Sequence, residues 1–129
     1  MRRWARVFVG SLLSFGIALS FGIAAAQAHA HLRSSLPADG SVLSAPPPQV
    51  VLDFSEPARL TAAWIQRRGG PKTKLEPLPQ QSAASVAVTV PALRPGQYEL
   101  SWRALSADGH IVPGHIHFTV TPPGASGAR

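Results

Sequence analysis

Cysteine is absent from the chain, and methionine occurs once, at the start. The first absence excludes a disulfide framework, so a domain of this size must hold together by packing alone. Together the two exclude thiolate ligands and, once Met1 is removed, thioether ligands. Any metal held here must accept nitrogen and oxygen donors. Internal repeats are also absent, and no stretch beyond residue 28 sustains helical periodicity. No second long apolar run follows the first, so nothing later in the sequence would retain the chain in a membrane.

What is present begins with a targeting pattern. Arg2, Arg3 and Arg6 precede an uncharged apolar run over residues 7–25, which closes on Ala26-Gln27-Ala28, the small-x-small pattern of a signal-peptide cleavage site. Residues 1–28 are therefore expected to be a signal peptide cut after Ala28; the alternative is an uncleaved anchor, because the run approaches the ~20 residues that span a bilayer. The paired Arg2 and Arg3 hint at a twin-arginine export route. The 129-residue chain has twelve basic and six acidic residues, a net of +6, and losing the three leader arginines leaves nine against six, or +3. Most of the basicity is thus targeting. The one remaining basic cluster, Arg67, Arg68, Lys72 and Lys74, reads as a solvated turn, and nucleic-acid binding is not expected.

From His29 onward, proline and glycine punctuate short alternating stretches rich in Val, Thr and aromatic residues, the pattern of an all-β domain. Residues 50–54 place Val50, Leu52 and Phe54 on one face, and residues 64–66 read as a further strand. Val86, Val88 and Val90 form one stripe. Tyr98, Leu100, Trp102 and Ala104 form a second, and Ile116, Phe118 and Val120 a third. About seven such strands predict a small Greek-key β-barrel or sandwich, immunoglobulin-like and cupredoxin-like in general shape, over residues 29–121. Residues 122–129, composed of Pro, Gly, Ser, Ala and a terminal Arg, are expected to be a disordered tail.

All five histidines fall in two windows, His29 with His31, and His110 with His115 and His117. Cleavage after Ala28 would give His29 an amine as well as an imidazole. Asp108 stands two residues before His110 in Ser106-Ala107-Asp108-Gly109-His110, where a bend can aim carboxylate and imidazole at one point. His29, Asp108 and His110 would then supply three nitrogens and one oxygen, a set suited to tetragonal Cu(II); tetrahedral Zn(II) accepts similar donors. A second mode competes for the same terminus. The amine, two deprotonated amides and the imidazole of His31 could wrap Cu(II) in a square plane, unless strand pairing ties up those amides. His31 is accordingly an auxiliary candidate. His115 and His117 alternate with Ile116 and Phe118, so they face away from the core. Solvent-facing histidine without a role is the default there, and an exposed second metal patch the alternative.

Three stretches in this order, "HAHLRSSLPADGSVLSAPP" at the processed start, "VVLDFSEP" over residues 50–57 and "LRPGQYELSWRALSADGHIVPG" over residues 93–114, resemble the CopC-type periplasmic copper-binding family. The resemblance implies a periplasmic Greek-key domain that binds Cu(II) through its processed N-terminus, in copper resistance or delivery. It places the copper ligands on His29, Asp108 and His110. Glu56 falls on an acidic position regarded as a nearby or weak ligand, with a rim salt bridge as its other reading. It also implies a partner, an inner-membrane copper transporter of the CopD type. The chain departs from the family in lacking the Met-rich stretch of members with a separate Cu(I) site, and in having Ile111 where many relatives have Pro. The expected protein is thus a carrier or buffer and not an enzyme. Its rivals are a copper monooxygenase with a histidine-brace site, whose open coordination position Asp108 would close, and a metal-free immunoglobulin-like interaction module.

Overall fold

The computed structural model describes residues 30–124, so the expected signal peptide, His29 and the end of the expected tail from residue 125 lie outside the described residues. No helix occurs among the described residues. Seven strands run β1 (Leu32–Leu36), β2 (Ser41–Leu43), β3 (Gln49–Arg67), β4 (Lys72–Lys74), β5 (Ala83–Thr89), β6 (Gly96–Ser106) and β7 (Ile111–Val120). They form a single sheet in the order β1-β3-β6-β7-β2, with β4 and β5 also paired to β3. All pairs are antiparallel except β2 with β7. The sheet curls into a half-barrel, and the all-β expectation holds.

The alternating stripes explain why it curls. Val50, Leu52, Phe54, Val86, Val88, Tyr98, Leu100, Trp102, Ala104, Ile116, Phe118 and Val120 are all buried, on the faces that their spacing assigns them. Burying a side chain of the larger kinds contributes roughly 1.5–3 kcal/mol, and one face of an open sheet cannot bury them all. Closing the sheet on itself lets Phe54 meet Trp102 edge-on at 6.3 Å, while Tyr98 stacks at 5.6 Å on Phe118, its partner across the β6–β7 ladder. The Tyr98 hydroxyl donates to the carbonyl of Arg94 at 2.5 Å, a corner that ties the start of β6 to the turn before it.

Two expectations need correction. The stretches read as separate strands at 50–54 and 64–66 are one 19-residue strand, β3, running through Pro57. Proline has no N–H for a ladder, but β3 shifts register between Asp53 and Ala58, and that irregularity accommodates it. The basic cluster is not merely a solvated turn. Arg67 donates through Nε and Nη2 to the carbonyl of Pro95 at 3.1 and 2.8 Å, and Arg68 donates to Gln97 Oε1 at 2.9 Å. Lys72 and Lys74 lie on β4, with the Lys72 ammonium 4.9 Å from the Trp64 ring centroid. β7 starts at Ile111, directly after the turn that carries Asp108 and His110. Pro113 is tolerated there because β2 pairs only with Phe118, Thr119 and Val120, which leaves that edge of β7 unpaired further back.

Gly114 lies opposite Trp102, and the indole covers it: an added Cβ would fall inside contact distance of the ring, 2.9 Å from Nε1. Gly114→Ala should therefore displace Trp102 and destabilise the fold by about 1–3 kcal/mol. A lower urea midpoint with an altered tryptophan emission checks this; an unchanged midpoint contradicts it.

Candidate metal centre

The bend of β3 assembles the site. In its first half β3 pairs with β1, through Leu32 opposite Phe54, and with β5. Ala58 then pairs with Ala83 of β5 and with Ser106 of β6. With β5 along one edge from Gln49 to Ala58, β1 and β6 occupy the other edge in succession, and the start of β1 meets the end of β6 at residues 55–58. His31 extends this ladder. Its N–H donates to Ser55 Oγ at 2.9 Å, and its carbonyl accepts from the Ser55 N–H at 2.7 Å. Ala30, just before it, is fully buried in the core. The chain emerging from residue 30 toward the N-terminus is thus anchored three residues along β3 from Ser106, at most roughly 10 Å of extended strand.

From Ser106 the chain enters a closed loop. Ser106 N–H donates to the His110 carbonyl at 2.9 Å, and Gly109 N–H donates to the Ser106 carbonyl at 3.0 Å. Gly109 has φ of +86°, a conformation that favours glycine. Asp108 Oδ1 accepts from the His110 N–H at 3.2 Å, while Oδ2 lies 2.9 Å from His110 Nδ1. The Ser106 hydroxyl donates its proton to Asp108 Oδ1 and also lies 3.1 Å from the His110 carbonyl. These bonds favour the carboxylate, that from Ser106 first and that from His110 next, and hold Asp108 well below the usual carboxylate range. Asp108 is therefore ionised at neutral pH, and its charge is available to attract a cation. The His110 side chain is 67 % exposed and that of Asp108 28 %, so an ion can reach both.

The 2.9 Å separation between Nδ1 and Oδ2 matches the spacing of two adjacent ligand atoms each about 2.0–2.1 Å from one metal. A divalent ion can take the place of the proton that the two atoms share. Of the five expected site residues, the structure joins Asp108 to His110 directly and anchors His31 at the same bend. Glu56 lies on that bend and is exposed. His29 lies outside the described residues, and among those described no group of three or more His, Asp or Glu side chains is gathered round a metal position. His115 and His117 are not part of this centre: β7 carries them away from the loop, to positions opposite Ser101 and Glu99. Ser106 and Ser55 were missed by sequence reasoning. The Ser-x-Asp spacing before Gly109 was the available signal for Ser106; Ser55 had none.

Residues 32–121 match the CopC domain. The chain belongs to the CopC family. It is similar to copper resistance protein C of Pseudomonas syringae pv. tomato, 36 % identical over 107 residues that cover 75 % of this chain and 84 % of the relative. The crystal structure of CopC from Methylosinus trichosporium OB3b superposes with a TM-score of 0.63 at 28 % identity, covering 73 % of this chain and 95 % of that one. The copper transport protein CutJ of Bacillus subtilis (strain 168) is 31 % identical over 98 residues, 72 % of this chain and 18 % of the longer relative. Within the CopC family frame, the matched span contains Asp108, His110 and the serine that holds them.

Because the hydroxyl of Ser106 leads in lowering the Asp108 carboxyl, Ser106→Ala should raise its titration midpoint toward the ordinary value near 4. Asp108 stabilises the fold above its ordinary midpoint, and this contribution disappears as pH falls through the depressed one. The variant should lose it at higher pH. Carboxyl carbon shifts across an acid titration would show the move, and an unmoved midpoint would contradict the assignment of cause.

Proposed function

We propose that this CopC family member is a periplasmic copper carrier or buffer that binds Cu(II) through the amine and imidazole of a processed His29 together with His110 and Asp108. The observation that carries the reading is the meeting of the start of β1 with the Ser106–His110 loop on one edge of β3, where Asp108 and His110 are already paired at 2.9 Å. Three nitrogens and a carboxylate form a donor set for tetragonal Cu(II), which leads the divalent affinity order for such ligands. The serine-held carboxylate stays charged, and the exposed imidazole leaves a path for exchange. Binding and release, not turnover, is the function that this geometry serves.

The wrapping mode at His31 is disfavoured by a specific contact. The His31 amide would have to leave Ser55 and lose its proton, and Ala30 would have to leave the core. For delivery, the reading takes a membrane copper transporter of the CopD type as partner. The CutJ match supports it, since there a similar segment is part of a longer chain named as a copper transport protein.

Titration of the exported protein with Cu(II) should give one tight equivalent with nitrogen-rich tetragonal EPR parameters. His110→Ala should abolish that equivalent and Asp108→Ala weaken it. A spectrum and affinity indifferent to both substitutions would favour the His31 mode and overturn the proposal.

A further inference from the structure

On the outer face of β7, far along the strand from the loop, a second group of donors has no part in the site above. His115 and His117 stand two residues apart on the exposed side of the strand, and their rings converge to 5.2 Å between centroids at an interplanar angle of 73°. Across the β6–β7 ladder Glu99 lies opposite His117 and places Oε2 2.9 Å from His117 Nε2. Asp39 closes the other side, with Oδ1 3.8 Å from His117 Nδ1 and accepting from the His117 N–H at 2.7 Å.

We infer that His115 and His117, with Glu99, form a second and weaker Cu(II) site on the outer face of the sheet. Two imidazoles bound through nitrogen at about 2.0–2.1 Å to one ion have centroids about 4.5 Å apart at the right angle of tetragonal Cu(II) and about 5.2 Å apart at the tetrahedral angle. The observed 5.2 Å lies at the upper end of that range with the backbone as it stands. Strand geometry explains it, because side chains at i and i+2 share a face and lie about 6.6 Å apart at Cα. Neither ring is needed for packing, whereas Ile116 and Phe118 between and beyond them are buried. Glu99, partly exposed and 2.9 Å from His117 Nε2, is a flexible carboxylate that can swing in as a third donor once an ion is held by the pair. The hydrogen bond from the His117 backbone to Asp39 fixes the strand beneath the pair, and the Asp39 carboxylate adds negative charge at its margin.

Nearby cations do not occupy the pair. Arg68 is bonded to Gln97, and both Lys72 and Arg103 lie over the Trp64 ring, the latter at 5.5 Å. The donors are nonetheless a two-imidazole chelate on an open face and not a preassembled three-ligand cage. Weaker binding and faster exchange than at the terminal site follow, together with a capacity of two copper ions per chain. Cu(II) is the ion of choice for such a pair by the divalent affinity order.

The test uses the exported protein without added histidines and Cu(II) alone as probe. Equilibrium dialysis should find two equivalents in the parent protein, one in the His115→Ala/His117→Ala double variant and one in His110→Ala. In His110→Ala, sub-stoichiometric Cu(II) should broaden the amide signals of Glu99 and residues 115–117. A parent that takes up a single equivalent overturns the inference, as does a second equivalent that survives in the double variant. Should the double variant lose its fold by circular dichroism, the broadening map on His110→Ala decides alone: broadening elsewhere, or none, refutes the site. Failure here leaves the terminal site standing, since that site is read from the tight equivalent lost in His110→Ala.

Discussion

The strand β3 is the element on which the rest of the molecule depends. It is long enough to belong to both halves of the curled sheet, pairing with β1 and β5 before its bend and with β4 and β6 after it. Antiparallel pairing on one edge then forces the beginning of β1 toward the end of β6. Two segments more than seventy positions apart in sequence reach the same place because both must satisfy their backbone hydrogen bonds on a single template. The bend at residues 55–58 therefore does two things at once. It turns the apolar stripes toward each other to make the core, and it brings the N-terminal segment to the loop that carries Asp108 and His110.

The loop is tuned by small residues. Gly109 supplies a positive φ that lets the chain reverse within four residues, and the Ser106 hydroxyl donates a hydrogen bond that keeps Asp108 a carboxylate. Neither is a proposed ligand, yet without them the carboxylate would be protonated more readily and the imidazole would be aimed less well. Outer partners of this kind orient the atoms that bind a metal. The outer face of β7 achieves convergence by another route, the two-residue repeat of a strand, and so requires no special turn.

Much of this was legible in the sequence, for reasons that concern burial. Half-buried strands alternate, so Val50, Leu52 and Phe54, or Tyr98, Leu100 and Trp102, announced both their element and their inward face. The Asp-x-His spacing with an intervening glycine announced the loop. What stayed hidden was set by long-range pairing. The union of two predicted strands across Pro57 depends on a register shift against β5, and the short strands β2 and β4 exist only because β7 and β3 offer them an edge. The separation of His115 and His117 from His110 was legible only in part. Alternation put both on the solvent face, but only the ladder shows Glu99 and Asp39 beside them. The serines that hold the site, Ser55 and Ser106, are common strand and turn residues, and their partners lie on elements that only the fold brings together.

Tight binding depends on the terminal amine, the one donor of the four that export processing would create. The most direct measurement is the Cu(II) affinity and EPR spectrum of the protein carrying one extra alanine before His29, compared with the form that begins at His29. Loss of the tight equivalent and of its nitrogen-rich signal in the extended form is the predicted result. An extended form that binds Cu(II) as tightly, with the same spectrum, would show that the amine is not a ligand and would contradict the central claim.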